Sequence, residues 1–327
     1  MHIVLGGAGF IGSHLVDALV TNGDSVKVVD NFSRGSMGNL AGALRTGRLR
    51  IMQLNLENYG FALSSEDIVW HLAAKVAAIE YNRHNQYEML RANLALAYHA
   101  VESVRKQRPK LFVFVSSACV YPADAPVPTP ESAGDIGSPE KTNHGYGIAK
   151  FVGEQMVRHL TIEHGIPCAI VRFFNAAGPR DYYDEGTSHV IPALIKRVEE
   201  GENPIVVWGT GQQSRVFVDV RDITKALIML GDFMLRPQTM WAGKYELPII
   251  TNIGHNREIT IAALIEMIAR LCGKNVGYVF DKSKPDGCLR RAADTTFMHS
   301  LINWVPDTPL EKTILDSIQD YRSRCGK

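Results

Sequence analysis

His2-Ile3-Val4-Leu5-Gly6-Gly7-Ala8-Gly9-Phe10-Ile11-Gly12 is the stretch on which the fold turns. Residues 3–5 form a short apolar run that reads as a strand, and residues 10–22 carry a helical pattern. Gly6, Gly9 and Gly12 lie between and across them in the spacing G-x-x-G-x-x-G, one residue different from the common dinucleotide fingerprint. Glycines permit a tight turn and a close backbone approach, and a helix N-terminus offers free N–H groups to a pyrophosphate. A glycine run alone is weak evidence. Its place at a strand–helix junction, with an acid ending the next strand, reads as a nucleotide-binding loop.

The alternation continues outward. Apolar runs at 25–29, 49–53, 68–71, 111–115 and 168–173 predict strands, with helical patterns at 86–106 and 146–164 among them. Repeated strand–helix alternation implies a parallel sheet with right-handed crossovers. Strands apolar along their whole length are those covered on both faces. The expected fold class is α/β, a Rossmann-like doubly wound parallel sheet over residues 1–173. Beyond residue 174 the pattern loosens into a helix at 188–200, a strand at 205–208, a helix at 220–230 and a mixed C-terminal part. These predict a smaller α+β substrate-binding lobe from 174–217 and 254–327, with 218–253 returning to the dinucleotide-binding domain. Residues 122–143, rich in Pro, Gly and Ser, read as a loop long enough to be functional.

Composition narrows the class. At about 100–200 residues per domain, 327 residues make two domains or one elaborated one. The net charge is +1, with acids and bases mixed along the chain, so neither nucleic acid nor an anionic membrane is an expected partner. No apolar run approaches the roughly 18–20 residues that span a bilayer. The first strand starts at once, without a charged leader segment. Five scattered cysteines form neither a disulfide framework nor a metal set. A soluble, reduced, cytoplasmic protein without a metal is expected.

Asp30 is the acid that ends the second strand. A carboxylate there accepts both ribose hydroxyls of an adenosine and repels a 2′-phosphate, which favours NAD over NADP. Arg34 nearby softens that repulsion. Further along, Ser116-Ser117-Ala118-Cys119-Val120-Tyr121-Pro122 ends the fifth strand, and Tyr146-Gly147-Ile148-Ala149-Lys150 opens a helix. Free tyrosine has a pKa of about 10, so roughly one phenol in a thousand is ionised at neutral pH. To act as a base, Tyr146 needs nearby positive charge, and Lys150 is one helical turn away on the same face. Ser117 is placed to hydrogen-bond a substrate hydroxyl or carbonyl. A Y-x-x-x-K pair alone is common; joined to the glycine loop and the Ser-Ser strand end, it reads as hydride-transfer machinery.

With these residues the chain resembles the extended short-chain dehydrogenases/reductases of the nucleotide-sugar epimerase type over essentially its full length. Matching segments include His71-Leu72-Ala73-Ala74, Arg172-Phe173-Phe174-Asn175, Trp208-Gly209-Thr210-Gly211, Arg215-Val216-Phe217-Val218-Asp219-Val220 and Asn303-Trp304-Val305-Pro306. The resemblance implies cofactor contacts from Gly6, Gly9, Phe10, Ile11 and Gly12, then from Asp30, Asn31, Arg34, Asn55 and Leu56. It adds Leu72, Ala73, Ala74, Lys75 and Asn93, and also Ser116, Tyr146, Lys150 and Phe173. Asn55 stands where the family usually has an aspartate near the adenine. Substrate contacts are implied at Ser117, Asn175, His189, Val190, Arg197, Arg215 and Arg291. Asn175 and Arg215 fit the places that meet a substrate diphosphate, whose charge calls for charge-assisted bonds. Helices 86–106 and 146–164 match those of the family's dimerising bundle, so a homodimer is expected.

Cys119 and His189 sharpen the resemblance. Residues two apart on an extended strand end share a face, which aims Ser117 and Cys119 into one cleft. The stretch around Cys119 resembles GDP-mannose 3,5-epimerase. Lys75, the stretch Ser188-His189-Val190-Ile191-Pro192-Ala193-Leu194 and Lys282-Ser283-Lys284-Pro285-Asp286-Gly287 resemble GDP-fucose synthase, a combined 3,5-epimerase and 4-reductase. There a matching cysteine and histidine exchange protons beside a C4 ketone. Ordinary pKa values near 8.5 for cysteine and 6.5 for histidine bracket neutral pH and suit opposite proton-transfer roles. Family dehydratases carry Asp-Glu where this chain has Ala118-Cys119, and decarboxylases tend to carry glutamate at the cysteine position. The expected activity is an NAD-dependent epimerase acting on a GDP-hexose. The alternatives are a fucose-synthase-like epimerase/reductase consuming NADPH, a plain 4-epimerase or 4-dehydrogenase (Asn175-Ala176-Ala177-Gly178 resembles theirs), and a catalytically silent NAD-binding protein.

Overall fold

A computed structural model describes residues 1–184, 186–237, 245, 247–283 and 288–326. Seven parallel strands form the central sheet: β1 (His2–Leu5), β2 (Val26–Asp30), β3 (Leu49–Gln53), β4 (Ile68–His71), β5 (Leu111–Ser117), β6 (Cys168–Phe173) and β7 (Ile249–Ile253). Their order is β7-β6-β5-β4-β1-β2-β3. The chain winds one way from β1 through β3, then returns to β4 on the other side of β1. The crevice between the C-terminal ends of β1 and β4 is the topological switch point, where ligands of open α/β sheets bind.

Strand alternation fills a core on each face. Val4, Val28, Trp70, Val113 and Val171 pack with α1 (Phe10–Thr21) and a helix at Val220–Met234. Ile3, Leu5, Val69, Phe112, Phe114 and Ile170 pack with α2 (Gln86–Gln107) and α3 (His144–His164). Neighbouring residues of one strand point to opposite faces, so Ile3 and Val4 belong to different cores.

The remaining chain builds a third core. α4 (Val190–Glu200) packs with α5 (Ile261–Cys272) and α6 (Leu310–Cys325) around Leu194, Ile195, Leu264, Ile268 and Ile314. The strand Ile205–Trp208 pairs in parallel with Tyr278–Asp281 beside it. Trp304 closes the joint to the sheet domain: its indole N–H donates to the Asp222 carbonyl, while the Asp222 carboxylate accepts the N–H groups of Asp307 and Thr308.

Element ends differ from expectation where long-range contacts extend them. β5 runs two residues further, through Ser117, because β6 pairs with it to that point. The helix expected at 220–230 continues to Met234, held by burial of Phe233 and Met234 against the sheet. The loop at 122–143 is tied down: Thr129 exchanges backbone hydrogen bonds with Ala292 and Asp294, and the Glu131 carboxylate accepts the Asn252 N–H. All five cysteines are unpaired thiols. Among the described residues no helix is long and apolar enough to cross a membrane.

Candidate active site

The glycine loop lies at the switch point. Gly6 leaves β1 at φ +77°, and a Cβ there would stand 2.7 Å from the Ala73 nitrogen. A Cβ on Gly12 would stand 2.2 Å from the Gly6 carbonyl oxygen. Gly9 caps α1 without a side chain, so no side chain competes for the first-turn N–H groups at Phe10, Ile11 and Gly12. A Gly12→Ala variant must force this turn open. It is expected to lose about 1–3 kcal/mol of stability, the range for overpacking, and to bind dinucleotide more weakly. Chemical unfolding and cofactor titration check both, and wild-type values in both would show that the turn has slack.

Asp30 ends β2 nearly buried. Its carboxylate accepts the Ala8 N–H at 2.9 Å and the Phe32 N–H at 2.8 Å. These bonds fix the carboxylate at the edge of the glycine loop. A cradle that excludes side chains, an uncapped helix start and this carboxylate together fit a dinucleotide. Arg34, expected beside that carboxylate, reaches elsewhere. Its guanidinium donates to the Val76 and Thr187 carbonyl oxygens and lies 4.3 Å over the Tyr182 ring.

Several other expected cofactor side chains are committed within the protein. The Asn93 amide accepts the Lys75 N–H and donates to the Lys75 and Met89 carbonyls, so it shapes the loop after β4. The Lys75 ammonium pairs with Glu88 at 2.7 Å. The Ser116 hydroxyl donates to Glu154 at 2.5 Å. Asn31 and Asn55 close local turns onto Ser33 and Glu57. Leu56 belongs to a core, as does Phe173, while Leu72 and Ala73 pack at core edges. Ala74 is partly buried in the same loop.

Ser117, Cys119, Tyr146 and Lys150 converge. The Lys150 ammonium donates to the Val115 carbonyl at 2.8 Å and stands 5.8 Å from the Tyr146 ring centre. Burial pulls its pKa down to about 8, with the Glu154 carboxylate opposing. Burial pushes the Tyr146 phenol well above its usual value; the neighbouring Cys119 adds to this and the Ser117 hydroxyl opposes it. His71, enclosed beside Lys150, is pulled down to about 3 by burial and stays neutral.

Cys119 arrives by a different route from strand alternation. β5 stops at Ser117, and Ala118–Val120 turns as a short 3-10 helix whose Cys119 N–H donates to the Ser117 hydroxyl. The turn, not the pleat, presents the thiol beside Tyr146. Burial pushes that thiol up from its ordinary pKa, while the Arg291 and Arg215 guanidiniums pull it down.

His189 is the N-cap of α4, and Asp181 raises its pKa. Both groups are thus shifted upward from their ordinary values, Cys119 by burial and His189 chiefly by the Asp181 charge. Neither bonds the other; the imidazole pairs with Asp181.

The expected substrate residues divide. Arg215 and Arg291 both lie close enough to influence the Cys119 thiol. Arg291 donates to the Ala118 carbonyl at 2.6 Å and pairs with Glu140. Asn175, at φ 45°, donates its amide to the Val216 carbonyl. Val190 packs against the third core. Arg197, at the far end of α4, is held by Glu202 and the Val206 carbonyl. Residues 284–287 of the stretch that begins at Lys282 lie outside the described residues.

Two further side chains, not among those expected, touch or influence this set. Glu154 is one turn beyond Lys150 on α3, a spacing that signals a shared face. Asp181 carries no such signal, because it meets His189 across an irregular loop.

A serine at a strand end, a tyrosine and a lysine one turn on, beside a glycine-lined dinucleotide crevice, define a short-chain dehydrogenase/reductase. The chain belongs to the NAD dependent epimerase/dehydratase family, whose model matches residues 2–243. A probable GDP-L-fucose synthase of Oryza sativa subsp. japonica is 30% identical over 323 residues, covering 97% of this chain and 90% of that protein. The GDP-L-fucose synthase of Escherichia coli K12 is 31% identical over 289 residues, covering 86% and 88%. A solved UDP-glucose 4-epimerase of Thermotoga maritima with UDP-glucose superposes with a TM-score of 0.82 at 26% identity, covering 99% of this chain and 100% of that one.

Proposed function

We propose that this enzyme is an NAD-dependent nucleotide-sugar epimerase that acts on a GDP-hexose by transient oxidation at C4 and proton exchange at C3 and C5. The carrying observation is that Cys119, hydrogen-bonded to the Ser117 hydroxyl, stands beside the buried Tyr146 and Lys150. A hydride transfer needs only Ser117, Tyr146 and Lys150; a thiol among them supplies a proton-exchanging group beside the reacting carbon.

The bound nicotinamide supplies the hydride acceptor and, when oxidised, a second positive charge. Ser117 orients the C4 hydroxyl, and Tyr146 takes its proton with the Lys150 charge close by. A C4 ketone acidifies the adjacent C–H bonds, and inverting such a carbon requires a proton removed on one face and returned on the other. Cys119 and His189 take these two roles. Arg215 and Asn175 receive the diphosphate. Asp30 supports NAD, as does the diversion of Arg34 to Val76, Thr187 and Tyr182. The names of the relatives support GDP as the nucleotide. They also favour a second reading, an epimerase/reductase that consumes NADPH. A homodimer through α2 and α3 is supported by exposed Tyr98 and Ile162 on that helix pair.

The test is NMR of purified enzyme with GDP-, UDP- and dTDP-hexoses in heavy water, with bound cofactor identified after denaturation. Retained NAD, turnover without added reductant and deuterium at C3 or C5 are expected. Turnover only with added NADPH would replace the epimerase by the reductase. Cys119→Ala is expected to slow labelling by roughly 10²-fold, the low end for positioned acid–base catalysis. Labelling at the wild-type rate would remove Cys119 from the proton exchange.

A further inference from the structure

The loop between β6 and α4 places two groups together that lie eight residues apart. The His189 Nδ1 stands 3.1 Å from one Asp181 carboxylate oxygen and 3.3 Å from the other. Asp181 is almost wholly enclosed, with a side chain 5% exposed, whereas that of His189 is 42% exposed. Asp181 is held in turn, since one of its oxygens accepts the Tyr182 N–H at 2.7 Å. A carboxylate only accepts, so Nδ1 must carry the proton. That fixes the tautomer and leaves Nε2 as the ring atom free for proton transfer, the arrangement by which a buried carboxylate orients a catalytic imidazole.

We infer that Asp181 is the positioning residue of this site: it holds His189 so that Nε2 delivers or removes the proton at the carbon beside the C4 ketone. The inference rests on the proton-exchange role proposed for His189. Two charged groups bear most strongly on His189. Asp181 raises its pKa, and Arg34, reaching over from the loop after β2, opposes the rise. Arg34 lies against the Tyr182 ring, so the histidine, the carboxylate and the guanidinium form one cluster between the cofactor loop and the substrate lobe.

The sign is the same whether His189 acts as acid or base. Replacing Asp181 by a neutral amide removes the group that raises the imidazole pKa, so the limb of the pH profile owed to His189 moves to lower pH. The Asn side chain still has an oxygen for the Tyr182 N–H, which preserves the turn.

The experiment measures solvent-deuterium incorporation at C3 and C5 of a GDP-4-keto-hexose across pH, for wild type and for Asp181→Asn, Asp181→Glu and His189→Asn. Selectively labelled histidine gives the tautomer and titration of His189 by NMR. Asp181→Asn is expected to lower the exchange rate roughly 10²-fold with KM unchanged, to shift the limb downward and to release the Nδ1–H tautomer. Asp181→Glu is expected to restore part of the rate. An Asp181→Asn enzyme with an unmoved limb and an unchanged tautomer overturns the inference. Full exchange in His189→Asn removes the underlying proton-exchange role, and the inference falls with it. That result is separable, because it appears in the histidine variant and not only in the aspartate variants.

Discussion

Tyr146→Phe is expected to fold as the wild type does and to lose roughly 10²–10⁴-fold of its C4 oxidation rate, the contribution of a positioned acid–base group. The substitution removes one oxygen from a side chain that is 8% exposed and otherwise packed, so the ring keeps its contacts. What disappears is the phenol oxygen that, in the mechanism proposed above, accepts the C4 hydroxyl proton while hydride leaves the same carbon. Burial pushes the phenol strongly upward and the Lys150 ammonium down to about 8. The pair therefore works against its own enclosure, and Lys150 serves only while it remains charged. Its folded pKa lies below the ordinary lysine value, so its charge is lost as pH rises through about 8, and the C4 step should decline there. Rapid-mixing absorbance of the reduced nicotinamide after substrate addition checks both points. A Tyr146→Phe enzyme oxidising C4 at the wild-type rate would falsify the assignment.

Cys119→Ala, by contrast, should spare C4 oxidation and lose label exchange. The two variants thus separate hydride chemistry from proton chemistry.

The sheet was legible because its physics is local. Runs such as Leu111–Val115 are apolar on both faces, and helical patterns between them leave little choice of connection. The glycine loop and Asp30 were legible because backbone geometry dictates the residue type at each place. Cys119 was legible as an addition to the cluster but not in how it gets there: one hydrogen bond to the Ser117 hydroxyl turns the chain into a 3-10 helix, and strand alternation does not foresee that. For Arg34, Asn93 and Ser116, cofactor contact is what the family resemblance implies. Their partners, Val76, Lys75 and Glu154, come from separate elements and cannot be weighed from spacing alone. The Asp181–His189 pair was hidden for a different reason: both lie in one irregular loop, where no repeating spacing signals which side chains meet.

Glu154→Gln is expected to cost about 3–5 kcal/mol of stability, the penalty for stranding one member of a buried ion pair. Both Glu154 and Arg172 have fully enclosed side chains, joined at 2.6 Å and 2.9 Å through two guanidinium nitrogens. The third guanidinium nitrogen donates to the Glu131 carbonyl and the Tyr121 hydroxyl, and that hydroxyl donates to Asn252. The network thus links α3, β6, β7 and the 122–143 loop next to the cluster of Ser117, Tyr146 and Lys150. A neutral amide leaves the Arg172 charge buried without its counter-ion. Replacing both partners by leucine removes the stranded charge and should recover most of the loss, since paired replacements of this kind are often nearly neutral. Denaturant unfolding of the single and double variants measures this. A loss below about 1 kcal/mol in Glu154→Gln, in the range of a surface pair, would show that water reaches the site. The same substitution has a functional signature. Glu154 raises the Lys150 pKa against burial, so without its charge Lys150 loses its proton below about pH 8. The alkaline decline of C4 oxidation should then move to lower pH. An unchanged limb alongside the stability loss would confine Glu154 to holding the fold and leave the Lys150 charge to other groups.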